Sequence, residues 1–264
     1  MTQEDKEKDL LARLVIEARQ DLQRRRALIA QDLFERAVAA YTPKDFAGAL
    51  RQPGLSVIAE MKQRTPTMGV LTEDYRPADL AHEYTDGGAA AISVLTHMAS
   101  FGGRPEHIMA ARAATTLPIL RKDFVTDPYE IAEARAAGAD AVLLIVAALE
   151  DAALRDLLGA AKGAGLATLV EVHTAGELDR ALRLGAPVIG INNRDLQTLT
   201  TTLAPSLALL PQIPPGPIAV SESGLRTGAD VAQVVAAGAH AVLVGETLLR
   251  ADDLAAKVRE LSLR

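Results

Sequence analysis

The sequence predicts an α/β fold, a single (β/α)8 barrel preceded by a helical extension. The first observation is length, since the chain has 264 residues and a barrel of this kind takes about 250. The second is a repeat in which Gly-Ala pairs, beginning at residues 88, 138, 185 and 238, precede short apolar runs. One strand and helix take about 25 to 30 residues, so each interval of 50, 47 or 53 residues has room for a further strand.

The apolar runs supply the eight strands that a closed barrel needs. A glycine after an Ala-rich stretch is typical of a left-handed helix end, and the apolar run that follows is typical of a buried parallel strand. A doubly wound sheet is the alternative, but no G-x-G-x-x-G motif follows the first strand, which favours the barrel. The candidate strands span residues 55–61, 90–96, 118–124, 140–146, 167–173, 187–193, 216–223 and 240–246.

The segment before the first strand predicts a helical extension over residues 1–45, with the barrel over 46–264. An apolar stripe recurs at helical spacing at residues 10, 11, 14, 15 and 18. The run of three arginines at 24–26 is interpreted as a solvated face, because the chain as a whole is acidic.

Composition excludes several classes of function. The net charge of −6 disfavours a nucleic-acid partner, which usually needs a basic patch. The chain has no cysteine, so thiol nucleophiles and thiolate metal sites are excluded. No apolar run approaches the roughly 20 residues of a membrane span, and the highly charged first residues do not resemble a secretory signal. A cytoplasmic enzyme without a membrane partner is expected.

Polar side chains at the carboxyl ends of the predicted strands indicate an active site. A barrel forms its site at that end, so these side chains are expected to meet. A ring of salt bridges that only closes the barrel is the alternative, but buried charges are costly unless a function requires them. The predicted catalytic set is Glu60, Lys62, Lys122, Glu171, Asn192 and Glu222.

The loops after the last two strands predict a phosphate site. Ser223-Gly224 and Gly245-Glu246 place glycines where backbone N–H groups approach an anion, although ordinary turns are an equal alternative. The carboxylate of Glu246 would repel a phosphate, so the backbone of Glu246 is expected to contribute instead.

Phe101 and Phe124 follow two neighbouring strands and predict an apolar shelf for an aromatic ligand, with plain core packing as the alternative.

No metal site is predicted. The five histidines show neither H-x-H nor H-E-x-x-H spacing, which are common metal-binding patterns.

Seven segments, in this order, resemble the indole-3-glycerol phosphate synthase family. The combination of L-R-K-D-F, G-I-N-N-R-D and S-E-S-G is the most specific part, and the match extends over nearly the whole chain. The segments are IAEMKQRTPTMG (58–69), SVLTHMASFGG (93–103), the run from Ile119 to Leu149, LVEVH (169–173), IGINNRDLQTL (189–199), VSESG (220–224) and LVGETLLR (243–250).

The resemblance implies ring closure of 1-(2-carboxyphenylamino)-1-deoxyribulose 5-phosphate with loss of carbon dioxide and then water, without cofactor or metal. By similarity, Lys122 is the general acid, Glu171 is the general base for dehydration, and Lys62 contacts the substrate carboxylate. The polar residues Glu60, Asn192 and Glu222 are expected to orient these groups and the sugar hydroxyls. Leu143, Arg194 and Leu196 lie in the matched segments and are predicted to line the pocket.

The first loop departs from the family's usual S-P-S-x-G motif, because it reads T-P-T-M-G over residues 65–69. Thr65 keeps the hydroxyl that is expected to contact the phosphate, whereas Met68 stands where many relatives carry a lysine. Neither change affects the predicted acid or base.

Three alternatives remain open at this point. The sister barrel that isomerises phosphoribosyl anthranilate relies on a cysteine, which this chain lacks. A Schiff-base aldolase would use Lys62 or Lys122 as its nucleophile. A sensor of phosphorylated ligands on a barrel without activity would not need the acid and base. A monomer or weak homodimer is expected.

Overall fold

The computed structural model describes residues 3–29, 34, 41–66, 68–195 and 200–263, with the backbone alone for residues 3–9. Its eight central strands form a closed parallel barrel in which each strand pairs with its neighbours in sequence. Every strand lies inside the range that the sequence predicts. The strands are β1 (Ser56–Met61), β2 (Ala91–Leu95), β3 (Ile119–Lys122), β4 (Ala141–Ile145), β5 (Ala167–Val172), β6 (Val188–Asn192), β7 (Ile218–Glu222) and β8 (Ala241–Val244).

Helices surround the barrel and connect its strands. In order along the chain they are α1 (Gln3–Leu28), α2 (Phe46–Leu50), α3 (Pro77–Asp86), α4 (Met98–Phe101), α5 (Pro105–Ala114), α6 (Pro128–Ala136), α7 (Asp151–Gly163), α8 (Ala175–Arg183), α9 (Ala204–Leu209), α10 (Gly228–Ala236), α11 (Glu246–Leu249) and α12 (Leu254–Leu261). In addition, two 3-10 turns span Val146–Ala148 and Leu210–Gln212, and a short hairpin pairs Arg64–Thr65 with Gly69–Val70.

Helix ends carry the chemistry that the sequence suggests. The glycines of the four Gly-Ala pairs all have positive φ, between 74° and 112°, which L-residues with a Cβ adopt only with strain. The side chain of Asp127 accepts a hydrogen bond from the Tyr129 amide at the start of α6, which has Pro128 at its first position. A capping box of Thr227 and Asp230 begins α10. The glycines mark the helix ends that precede four of the strands, and the two caps mark where α6 and α10 begin.

Two apolar layers hold the barrel together. Inward residues such as Ile58, Leu120 and Leu169 fill the barrel interior, and Phe46 and Leu50 of α2 pack into the same cluster. Outward residues of the strands pack against the surrounding helices in a second, larger cluster. Strands buried on both faces explain why the sequence runs are continuously apolar rather than alternating.

The N-terminal extension differs from its prediction in two ways. Its helix ends at residue 28 and residues 41–45 are not helical, while 30–33 and 35–40 lie outside the described residues. The apolar stripe is confirmed, since Leu14, Val15 and Ala18 are buried. The interpretation of residues 24–26 as a solvated face is wrong for Arg25, whose side chain is only 18% exposed because it binds Glu133 on α6. Among the described residues, no helix has the length and apolar character needed to cross a membrane.

Candidate active site

The six residues of the predicted catalytic set line one cavity at the carboxyl end of the barrel, with a volume of about 130 Å³. Four of the charged groups come from alternate strands, with Glu60 on β1, Lys122 on β3, Glu171 on β5 and Glu222 on β7. Side chains from alternate strands share a layer in this fold. The barrel geometry therefore places groups that lie far apart in sequence within contact distance.

Lys122 lies between two carboxylates. Its Nζ donates to Glu171 Oε2 at 2.7 Å and lies 3.1 Å from Glu222 Oε2. Burial alone would lower the pKa of Lys122, but the Glu171, Glu222 and Glu60 carboxylates outweigh it and raise the pKa above its ordinary value. The side chain is therefore an ammonium ion at neutral pH, held where it can give up a proton.

The two carboxylates beside Lys122 are not equivalent. Burial opposes the charge on Glu171, but Lys122, His173 and a hydrogen bond from Asn192 prevail and lower its pKa. Burial dominates at Glu222 and, together with the Glu171 charge, raises the pKa of Glu222 to about 7 despite Lys122. Pairs of groups whose pKa values are pushed apart are typical of acid–base sites.

Glu222 also lacks a hydrogen bond of good geometry to any described residue, although its side chain is buried. Gly190 of β6 makes room for it, since a Cβ at that position would lie 1.9 Å from Glu222 Oε1. Gly190 was not among the predicted site residues. A glycine inside a buried strand is a signal of close approach by another group, and it was visible in the sequence.

The second lysine of the set forms its own pair. Lys62 Nζ donates to Glu60 Oε1 at 2.6 Å, and both side chains are mostly buried. Gly245 lies against this pair, because a Cβ there would be 2.7 Å from Glu60 Oε1 and 3.1 Å from Lys62 Nζ. Lys62 thus lies where the cavity of Lys122 meets the loop after β8.

One side of the cavity is apolar. The predicted residues Phe101, Phe124 and Leu143 line the cavity, and Leu10 and Leu14 of α1 also contribute apolar side chains to its lining. His97 packs edge-to-face against Phe124, with ring centroids 5.2 Å apart. The N-terminal helix therefore supplies part of the pocket wall. Arg194 also lines this cavity, whereas Leu196 lies outside the described residues.

A second cavity of about 470 Å³ adjoins the first. Its lining includes all four residues predicted in the loops after β7 and β8, namely Ser223, Gly224, Gly245 and Glu246. Four cationic side chains also line it: Lys62, Arg194, Arg226 and Arg250. Glu60, Lys62, Arg194 and Ser223 border both cavities. One extended ligand can therefore occupy the two together.

Strain and hydrogen bonds shape the loop after β7. Ser223 has φ of 66°, a left-handed conformation that is rare for a residue with a side chain and is often found at functional sites. Buried Asn193 fixes this loop, since its Nδ2 donates to Ser221 Oγ and to the Ser223 carbonyl, each at 3.0 Å. The chain has only two asparagines, Asn192 and Asn193, and this scarcity was a signal in the sequence, although only Asn192 was predicted as a site residue.

The side chain of Glu246 is directed toward arginines, with Oε2 3.6 Å from Arg194 Nη2 and Oε1 3.4 Å from Arg250 Nε.

Thr65 does not line either cavity. Its hydroxyl accepts a hydrogen bond from the Met68 amide at 3.1 Å, within the hairpin after β1. No group of three or more described His, Asp or Glu side chains is arranged to hold a metal ion.

The fold and the site together define an enzyme of the (β/α)8-barrel class, with a lysine–carboxylate cluster at the barrel mouth beside a cation-lined cavity. The family model described as indole-3-glycerol phosphate synthase matches residues 11–261. The chain belongs to this family.

Individual relatives agree with this assignment. The chain is 55% identical over 245 residues to indole-3-glycerol phosphate synthase 2 of Streptomyces coelicolor, covering 92% of this chain and 95% of that protein. It is 48% identical over 262 residues to the synthase of a Roseiflexus species, covering 96% and 97%. Among solved structures, 3-hexulose-6-phosphate synthase from Salmonella typhimurium superposes with a TM-score of 0.65 at 17% identity, covering 79% of this chain and 97% of that one. That likeness shows the barrel fold alone.

Proposed function

We propose that the chain catalyses the reaction of its family, the ring closure of 1-(2-carboxyphenylamino)-1-deoxyribulose 5-phosphate to indole-3-glycerol phosphate. The enzyme is then a carboxy-lyase of tryptophan biosynthesis. The observation that carries the proposal is the Lys122 ammonium, 2.7 Å from Glu171, between an apolar wall and a cavity lined by cationic side chains. These three features match a substrate with an aromatic ring, a ketone and a phosphate.

The substrate would extend across both cavities. Its phosphate would lie in the larger one, against the backbone of the loops after β7 and β8 and near Arg194. The aromatic ring would lie against Phe124 and Leu143, under α1. This placement brings the ketone to the Lys122 side chain and the ring carboxylate toward Lys62.

Ring closure begins when the aromatic carbon that bears the carboxylate attacks the ketone. The ketone oxygen gains negative charge as the new carbon–carbon bond forms, and Lys122 donates its proton to that oxygen. Glu171 and Glu222 keep Lys122 protonated before this step, which a general acid requires. Loss of carbon dioxide leaves its electron pair in the ring. Lys62 would hold the departing carboxylate, and its pairing with Glu60 limits over-stabilisation of the ground state.

Dehydration completes the indole. The hydroxyl formed from the ketone leaves as water while Glu171 accepts a proton from the ring intermediate. Lys62, paired with Glu60 at 2.6 Å, is placed to supply a proton to the leaving hydroxyl. Asn192 and the Glu222 carboxylate, whose oxygens lack well-aligned partners among the described residues, would orient the sugar hydroxyls.

The Schiff-base alternative is disfavoured by the charge state of Lys122. A Schiff base requires a neutral amine, whereas the carboxylates raise the pKa of Lys122. Borohydride added with a ketose phosphate should therefore leave no covalent adduct. A sensor without activity would have no need for an acid and a base at contact distance.

The direct test is to add the anilino-deoxyribulose phosphate to the purified protein and to follow product by indole fluorescence and mass spectrometry. The chain contains no tryptophan, so the background is low. Growth of the fluorescence with loss of carbon dioxide and water supports the proposal, and an unchanged substrate contradicts it.

We further propose that the protein is cytoplasmic and is a monomer or weak homodimer. Light scattering over a range of protein concentrations tests the oligomeric state.

A further inference from the structure

A second charged cluster lies on the outer side of β3, away from the cavity. Arg121 directly precedes Lys122, so its side chain leaves the opposite face of the strand. It is fully buried, with Nη1 2.7 Å from Glu133 Oε2 on α6 and Nη2 3.0 Å from Asp123 Oδ2. Its Nε donates to Thr96 Oγ1 at 3.1 Å. None of these groups takes part in the proposed reaction steps.

Arg25 of α1 completes this cluster from outside the barrel. Its Nε donates to Glu133 Oε1 at 2.8 Å, so the two oxygens of Glu133 bind Arg25 and Arg121, one each. Its Nη2 lies 3.3 Å from Glu130 Oε1, and Asp21 on its own helix also pairs with it. One carboxylate therefore joins the N-terminal helix to the strand that carries Lys122.

The same acidic groups hold the segment that follows Lys122. Asp123 Oδ1 accepts from the Phe124 amide at 2.9 Å, and Glu130 Oε2 accepts from the Thr126 amide at 2.8 Å. Phe124 forms part of the apolar wall. The cluster thus fixes both the end of β3 and the loop that presents this ring.

The helix that bears Arg25 also covers the pocket. Leu10 and Leu14 line the apolar side, three to four turns before Arg25 on the same helix. Three carboxylates (Asp123, Glu130 and Glu133) face two guanidinium groups in the cluster, so loss of Arg25 would leave three buried carboxylates with one cation. Burial already raises the pKa of Glu130 to about 7, which marks the carboxylate least able to carry an unpaired charge.

We propose that Arg25 is a positioning residue for ring closure, a proposal that rests on the proposed function. By binding Glu133 and Glu130, it fixes α1 over the pocket and holds, through Arg121, the strand end that carries Lys122 and Phe124. It acts through these groups and does not touch the substrate.

The test compares Arg25→Met with Arg24→Met. Arg24 is a matched control, since it lies on the same helix, is 68% exposed and pairs only with Asp21 among the described residues. We expect kcat/KM of Arg25→Met to fall at least about tenfold, with KM rising and kcat falling, because a small misplacement of reacting groups is costly. Arg25→Lys should recover part of this loss, and Arg24→Met should stay within about twofold of the parent.

Two measurements separate positioning from a general loss of stability. The double variant Arg25→Met/Glu130→Gln removes one buried carboxylate together with one cation. The introduced amide would keep an acceptor for the Thr126 N–H. We therefore expect kcat/KM of the double variant to be at least about threefold higher than that of Arg25→Met. Hydrogen exchange of the peptide 119–127 should quicken in Arg25→Met and not in Arg24→Met. Hydrogen exchange can be measured on an inactive protein. If the parent proves inactive, the proposed function is contradicted, and the exchange comparison still tests the positioning role of Arg25. A folded Arg25→Met with kinetic constants and exchange equal to those of Arg24→Met would overturn it.

Discussion

Lys122 Nζ and Glu171 Oε2 lie 2.7 Å apart across the barrel mouth, one on β3 and the other on β5. The general acid and the general base of the proposed reaction are therefore each other's counter-ions before substrate binds. This contact keeps the lysine protonated and the carboxylate ionised, which is the starting state that ring closure followed by dehydration requires.

The raised pKa of Glu222 predicts that the free energy of unfolding depends on pH. Burial raises the pKa of Glu222 from 4.5 to about 7, so between those values the folded protein holds a proton that the unfolded chain releases. The free energy of unfolding therefore declines as pH rises through this range. Glu222→Gln removes this contribution. From pH 5 to pH 8 the free energy of unfolding of the variant should therefore fall less than that of the parent, by a difference on the order of 1–3 kcal/mol. Urea unfolding at both pH values measures the difference. Exposed Glu83→Gln is the control, and equal declines in all three proteins would show that Glu222 has an ordinary pKa.

Gly190 predicts a steric effect on the same carboxylate. Gly190→Ala places a Cβ 1.9 Å from Glu222 Oε1, so the carboxylate must leave its present position, which is 3.1 Å from Lys122. We expect kcat/KM to fall about 100-fold, because a small misplacement of a reacting group can cost this much in rate. In Gly159→Ala nothing lies within 4 Å of the new Cβ, and alanine inside a helix should raise stability by about 0.5–1 kcal/mol without a kinetic effect. Steady-state kinetics and thermal unfolding of both variants make the comparison, and near-normal turnover of Gly190→Ala would contradict the role of Glu222.

Glu246 predicts a gain rather than a loss in anion binding. Its carboxylate lies within 3.6 Å of Arg194 and 3.4 Å of Arg250 in the larger cavity. Glu246→Gln frees both guanidinium groups and removes a negative charge, so inorganic phosphate should inhibit the variant several-fold more strongly than the parent. Inhibition constants at fixed ionic strength measure this, with exposed Glu150→Gln as control. Weaker inhibition of Glu246→Gln would mean that the carboxylate itself supports the anion site.

The sequence predicted the fold well because each strand carries its own local signal. Continuous apolar runs after left-handed glycines mark buried parallel strands, and their number and spacing match a barrel. The catalytic cluster followed from the same argument, since polar residues at strand ends must meet at one mouth. Thr65 lies in the hairpin after β1 and does not line either cavity, so its contact with the phosphate stays a prediction from the resemblance.

Roles that depend on packing between distant segments were harder to predict from the sequence. Arg25 sits in a run of arginines whose surroundings are set by α6, more than 100 residues later, and no local pattern shows which of the three is buried. The charge state of Lys122 is likewise not visible in the sequence. The structure shows that three carboxylates raise its pKa, which depends on strands brought together only by barrel closure.

The most direct test of the proposed mechanism is the rate of indole formation by Lys122→Met. Removal of a general acid typically costs about 100- to 10,000-fold, so we expect turnover to be lost while the far-UV circular dichroism stays that of the parent. Lys162→Met, on the exposed face of α7, is the control and should retain full activity. A folded Lys122→Met enzyme that still closes the indole ring at a near-normal rate would contradict the assignment of Lys122 as the acid.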